Sequence, residues 1–353
     1  MNLPALLAAT TDFSKLNRLF IGAYGFEDRA LGWPKLAKDH AIPLNSAIMF
    51  RYIHAKGKNR VNEVKDILSS LGCSQIGEIK YDVLSPMGIE DTIGEKLAAV
   101  LQDVEEIIVD ITAMTKFLIL VLLCGLAPYE KTLRIIYSEA EEYAPSESEY
   151  TKSRSEMGLI AKFPSRGSES ILRARCLSSI RMQGQPVTMV AFTSFNEQLV
   201  RHMLGTLTPH RLIFLNGRPA RADFKWRELA TQEIHSKLIE QYSVDNPLDE
   251  EGRLTRTVST LDYRETVQVL KNVYDVYGFH ERLIIAATGG KMQTVGLYLH
   301  KMIHPDTHVE YPTPDSYYVT GMSKGIRMVH EVGFQNFSSS LRELRESNSL
   351  KSS

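Results

Sequence analysis

Twice in this chain a buried strand runs into a small polar turn, and a lysine then opens a helix. The clearer copy is ERLIIAATGGKMQTVGLYLHKMI, residues 281–303. It predicts a strand over 283–287, a turn at Thr288, Gly289 and Gly290, and a helix from Lys291. A short apolar run ended by a Gly-Gly turn and a helical pattern spells a βα unit. The other copy is EEIIVDITAMTKFLILVLLCGL, residues 105–126, with a strand over 107–111, a turn over 112–115 and Lys116 at the helix start. Strands this apolar are buried on both faces, which points to parallel sheets covered by crossover helices.

In an open parallel sheet such a turn lies at the carboxyl edge, where ligands bind. Outward amides and the helix dipole favour an anion there. Thr288 adds a hydroxyl and Lys291 a charge, so the stretch reads as a phosphate cradle. The same grammar also serves plain βα turns, and the loop alone does not separate the two readings.

The rest of the chain alternates in the same way. Strands are expected over 17–23, 46–53, 76–83 and 133–137, with helices over 30–37, 61–71 and 88–101 between them. Residues 139–155 are polar and acidic, 158–163 suit a short strand, and one apolar patch (Ile171, Leu172, Cys176, Leu177, Ile180) suggests a connecting helix. The pattern restarts with strands over 187–192, 211–215 and 254–261, and helices reaching residue 207 and over 224–242 and 263–277. Strands over 308–311 and 326–332 follow, and the tail from Ser338 is expected to fray.

Laid over each other, the halves agree in order. YGFEDRAL from Tyr24 sits on TSFNEQLV from Thr193, VDITAMTK from Val109 on AATGGK from Ala286, and Glu142-Tyr143 on Glu310-Tyr311, at an offset of roughly 170 residues. The expected architecture is therefore α/β. It has two tandem Rossmann-like domains with mainly parallel sheets, duplicated internally and packed about a pseudo-two-fold axis. The domains are placed at 1–165 and 187–337, with a linker over 166–186 and a disordered tail over 338–353.

Composition narrows the function. Net charge is −1 over 353 residues, without the basic footprint that duplex nucleic acid usually leaves on its partner. The three cysteines, Cys73, Cys124 and Cys176, share no CxxC spacing, so neither a disulfide framework nor a structural zinc site is expected. The ten histidines are read as showing no HxH, HExxH or other ligand spacing, and no metal or cofactor is inferred. The most apolar run, 117–127, is too short to span a bilayer, and the N-terminal residues lack a signal-peptide pattern. The expected location is the cytoplasm.

With both turns in view, the chain resembles the CRISPR-associated Rossmann-fold (CARF) sensors and their fused relatives, the SAVED domains. The resemblance rests on Thr288-Gly289-Gly290-Lys291, on the weaker copy Thr112-Ala113-Met114-Thr115-Lys116, and on the loops after each first strand, Tyr24–Arg29 and Thr193–Gln198. The first copy lacks both glycines, and the second lacks a threonine before its lysine. The resemblance implies a cyclic oligonucleotide ligand, made as an alarm during phage infection and held in the cleft between the two domains. No effector segment is visible in the sequence, so the output is expected to pass to a partner protein or an oligomer.

The ligand contacts expected on this basis are Thr288, Gly289, Gly290, Lys291, Thr112, Thr115, Lys116, Phe26, Arg29, Phe195, Asn196 and Arg218. Asp110 either meets a ligand or metal, or caps the following helix. Glu27, Asp28, Asp110 and Lys116 are also catalytic candidates for an alternative in which the first half hydrolyses a phosphoester. The competing reading of that cluster is charge at a helix N-terminus with an ion pair inside the loop. A third reading is a non-catalytic structural subunit of a defence complex.

Overall fold

The structure is a computed structural model that describes residues 3–10, 16–53, 59–154, 164–317 and 322–349. The chain divides into two units: Met1–Tyr143 together with Gly321–Ser353, and Ala144–Thr320. Each is a Rossmann-like α/β unit on a mainly parallel sheet.

In the first unit the parallel strands are, along the chain, Arg18–Ala23, Ser46–Tyr52, Gln75–Tyr81, Glu106–Asp110 and Thr132–Glu139. They lie in the order third, second, first, fourth, fifth. The second unit has Val187–Phe192, Arg211–Arg218, Thr257–Ser259, Arg282–Ala286 and His308–Thr313 in the same order. The winding reverses between the first and fourth strands, and the carboxyl ends flanking that reversal form the ligand-binding crevice of such sheets. Both lysine-bearing turns leave the fourth strand there.

The antiparallel strands beside each fifth strand depart from the expected boundaries. The strand Met328–Phe334, expected to close the second domain, pairs antiparallel with the fifth strand of the first unit, Val332 opposite Ile135. The strand Ser170–Leu172, expected inside a connecting helix, pairs antiparallel with the fifth strand of the second, Leu172 opposite Tyr311. Each sheet is thus extended past its fifth strand by a segment that follows the other half in the sequence, and in the first sheet the short strand Leu7–Ala8 pairs beyond it, Leu7 opposite Glu331. The domains 1–165 and 187–337 become 1–143 with 321–353, and 144–320.

The connecting helix over 166–186 is replaced by the short strands Ser165–Arg166 and Ser170–Leu172 and a 3-10 turn, Arg175–Leu177. Ile171 packs on the core of the second sheet and Leu177 is buried, so the apolar patch serves a sheet edge. The tail is a helix, Phe337–Ser349, which buries Phe337, Leu341 and Leu344 along one face. The helix expected over 224–242 breaks at His235 into Trp226–Ile234 and Ser236–Gln241. The strand expected over 158–163 lies outside the described residues.

Two helices explain why the turns sit where they do. Lys116–Leu126 is buried from Phe117 through Leu123, as its unbroken apolar sequence requires. Lys291–Ile303 is buried from Met292 to its end and packs on the helix Tyr263–Val273. Gly296 makes that approach possible: a Cβ there would stand 2.6 Å from Thr266 Cβ and collide with the Tyr263 carbonyl oxygen. Backbone cannot yield as a side-chain end can. Gly296→Ala is expected to cost about 1–3 kcal/mol by overpacking, read as a lowered urea midpoint. An unchanged midpoint would mean that the helices separate freely. Among the described residues, no helix is long and apolar enough to cross a membrane.

Candidate functional site

In the first unit the switch point is closed by its own side chains. Asp110 Oδ1 accepts from the Thr112 amide at 2.9 Å, a bond within the turn rather than a cap on the helix. Thr112 Oγ1 accepts from the Ser138 amide at 2.8 Å. Thr115 caps the helix by accepting from Leu118 N, and its hydroxyl lies 3.1 Å from Tyr81 Oη. Tyr52 Oη accepts from Thr115 N and donates to the Ala113 carbonyl. The turn amides at 112 and 115 are therefore spent internally, and Lys116 sits half-buried at the helix start. Tyr52 and Tyr81, the last residues of the second and third strands, were not expected at the site.

The charged loop after the first strand is an internal network as well. Arg29 pairs with Glu27 through Nη2 at 3.0 Å and Nε at 3.2 Å. Its guanidinium lies 5.9 and 5.5 Å from the ring centroids of Tyr137 and Tyr143. Burial opposes the Arg29 charge, but Glu27, Tyr137 and Tyr143 together outweigh it and hold the group above its ordinary range. Burial, then Tyr143, pushes the Tyr137 phenol well up. Ser323 Oγ donates to Glu27 Oε1, and Gly325 N donates to Asp28 Oδ2 at 3.1 Å. Asp28 also pairs with Arg60. Of the catalytic candidates, Glu27 and Asp28 are in ion pairs and Asp110 bonds to a turn amide, while Thr115 caps the helix. Phe26 is half-buried beside them. Lys56 and Lys58, which precede the helix expected over 61–71, lie outside the described residues.

The second unit is built differently at the same place. Thr288 is buried, and its hydroxyl bridges the end of the first strand: it donates to the Phe192 carbonyl at 2.8 Å and accepts from Phe192 N at 2.9 Å. Expected as a ligand contact, Thr288 instead joins the two strands that flank the switch point. Gly289 packs on the Phe192 ring, where a Cβ would approach to 2.9 Å. Gln293 is buried and supports the turn, accepting from Gly290 N at 2.7 Å and donating to the Ser259 carbonyl at 3.2 Å. Gln293 was missed, although a glutamine three residues past the N-cap is the signature of half a capping box.

Gly290 is exposed and has no side chain to accept from the following amides, as Thr115 does in the first unit. Lys291 is the first residue of the helix, and no acid stands in its first turn. Several other helices carry one there: Glu63, Glu90, Glu197, Glu228 and Glu265. A lysine at that position opposes the helix dipole, whereas an anion is favoured. The turn amides at 288 and 290 are spent on the Ala286 carbonyl and Gln293 Oε1, but the helix itself starts with a cation and without a side-chain cap.

The remaining candidates flank it. Phe195 is half-buried and meets Tyr150, Trp226 and the Arg227 guanidinium, the last 4.6 Å from its ring centroid. Asn196 is buried and donates to Gly167 O at 3.0 Å and Ser165 Oγ at 3.3 Å. Arg218 is exposed and pairs with Glu265 at 2.6 Å. A shallow groove of about 410 Å³, lined by Arg201, Leu204, Thr208, Pro209, Leu238 and Tyr242, lies where the chain enters the second strand at Arg211, at the opposite sheet end. Among the described residues, no group of three or more His, Cys, Asp or Glu is placed to hold a metal ion.

Compared with known proteins, the chain matches no family model and no curated protein.

Proposed function

We propose that the protein binds a phosphate-bearing ligand of the nucleotide class at the switch point of its second unit, and that it acts as a sensor. The observation that carries this reading is the start of the helix Lys291–Ile303. A lysine opens it, its first turn carries no acid, and a glycine stands where its counterpart in the first unit has a capping threonine. This arrangement costs stability in the empty state and is offset when an anion binds. The resemblance to CARF and SAVED sensors makes cyclic oligonucleotides the first ligands to test. It also suggests a cytoplasmic role in antiphage signalling through a partner protein. The hydrolytic alternative draws no support from the geometry, because Glu27 and Asp28 are held in ion pairs and Asp110 by a turn amide.

The two turns are not equivalent in this reading, and that separates it from a symmetric site. The test is a thermal-shift titration of the full chain with linear and cyclic di-, tri- and tetranucleotides, ATP, NAD and inorganic phosphate. A charge-assisted contact contributes about 1.5–3 kcal/mol, so Lys291→Ala is expected to weaken the responding ligand by roughly 10- to 100-fold. Lys116→Ala should weaken it by less than about threefold, since Thr115 already caps the helix that Lys116 opens. No response to any of these ligands, or equal losses in the two variants, would overturn the proposal.

A further inference from the structure

We infer that the loop after the first strand of each unit is a clamp on the chain crossings, so that a change at the switch point is passed to the segments that run between the units. In the second unit the loop 193–196 grips the arriving chain at two places. Phe195 packs on Tyr150 and on Arg227, and Arg227 donates to the Ala144 and Pro145 carbonyls at 3.0 and 2.9 Å. Asn196 holds Ser165 and Gly167. One four-residue loop thus fixes both described ends of the segment that carries the chain into this unit.

The first unit repeats the arrangement with different chemistry. Arg29 stands over Tyr143, the last residue before the chain leaves. Glu27 and Asp28 bind Ser323 and Gly325, where it returns. The gripped tripeptides correspond: Ser165-Arg166-Gly167 and Ser323-Lys324-Gly325, each pairing its first two residues in a two-stranded ribbon and ending on a left-handed glycine. The tyrosine pairs beside them correspond too, Tyr137 to Tyr143 at 3.3 Å and Tyr311 to Tyr317 at 3.2 Å between hydroxyls. The first clamp holds the returning chain through carboxylates, the second holds its segment through the Asn196 amide and the Arg227 guanidinium.

The switch turn reaches the second clamp through one residue. Thr288 is bonded to Phe192 N and O, and Phe192 is followed directly by the loop. A shift of the turn therefore moves the base of the clamp. The inference takes the identity of the incoming signal from the proposed ligand site, but the coupling belongs to the empty protein and is tested there.

The experiment is hydrogen exchange on the ligand-free full chain, comparing wild type with Thr288→Val, Asn196→Ala and the double variant. Exchange reads local opening of the affected segment. Asn196→Ala is expected to speed exchange over 164–172 about tenfold, because it removes two bonds to that segment. Thr288→Val, which keeps the shape of the side chain, is expected to speed the same amides several-fold although it touches none of them. The double variant should match Asn196→Ala alone, as coupled sites are not additive. Effects of Thr288→Val confined to 190–194 and 286–294, or a fully additive double variant, would overturn the clamp. Neither outcome bears on whether Lys291 binds a ligand, so the two readings fail separately.

Discussion

Replacing Glu106 by alanine is expected to lower stability by about 3–5 kcal/mol, the usual cost of leaving a buried charge without its partner. Glu106 is almost wholly buried and receives two guanidinium groups. Arg18 Nε donates to Oε2 at 2.5 Å and Arg134 Nε to Oε1 at 2.5 Å. Arg18 is as buried as Glu106, so it has no water to turn to once the carboxylate is gone. Arg134 continues the network to Glu331, on the strand Met328–Phe334 that returns from the far end of the sequence. The variant therefore strikes the first sheet across four neighbouring strands and loosens the one that returns to it from the far end of the sequence. The exposed pair Arg342–Glu130 is the comparison, and Glu130→Ala should change stability by less than about 1 kcal/mol. Urea unfolding of the two variants decides. A loss below about 1 kcal/mol for Glu106→Ala would mean that the strand exchange does not depend on this network.

That exchange is the part of the fold that could not be read from the sequence, and the reason is physical. The parallel strands were legible because a strand buried on both faces must be apolar throughout, as Ile107, Ile108 and Val109 are. Partner choice leaves no such mark. Residues 326–332 and 170–172 each follow a fifth strand, and their side-chain patterns suit the edge of either sheet equally. The tail misled through composition: it is polar, but Phe337, Leu341 and Leu344 stand at helical spacing and are buried. The supposed connecting helix failed in the opposite sense, because a few apolar residues matched a helical period while serving a strand.

At the site, position was legible and role was not. The Thr288–Lys291 turn does lie at the carboxyl end of the fourth strand, since a strand, a Gly-Gly turn and a helix in sequence permit little else. That Thr288 would spend its hydroxyl on Phe192 depends on which backbone groups a neighbouring strand leaves open, and no local motif encodes that. The acidic loop shows the same limit. Its Glu27–Arg29 pair is close in sequence and was one of the two readings offered, whereas the bonds to Ser323 and Gly325 span almost the whole chain.

Acid is expected to destabilise the second unit before it reaches the carboxylates, through two histidines whose spacing the sequence reading passed over. His300 and His304 stand one turn apart on the helix Lys291–Ile303 and its C-cap, with ring centroids 4.8 Å apart, and both are buried. Tyr274 stacks on His304 at 3.7 Å and donates to Asp306 at 2.7 Å. Burial pushes His304 down to about 4, with Lys271 acting in the same direction and Asp306 and Asp275 against it. Burial, then His304, Lys301 and Lys271, pushes His300 well below its ordinary range. The sign follows. Unfolded imidazoles take up a proton near pH 6.5, whereas the folded ones stay neutral. Stability is therefore fully present above that pH and is lost as pH falls toward 4, below which folded His304 also protonates. At about pH 5 the loss from His304 alone comes to about 2 kcal/mol, and His300 adds in the same direction. Glu281 and Glu310, held below the ordinary carboxylate range by their partners, contribute only in more acidic solution. His304→Phe keeps a ring against Tyr274 and removes the titration. Urea unfolding at about pH 7.5 and pH 5 should therefore show a fall in the wild type that the variant loses in large part. Equal falls in the two proteins would place the acid sensitivity elsewhere in the chain.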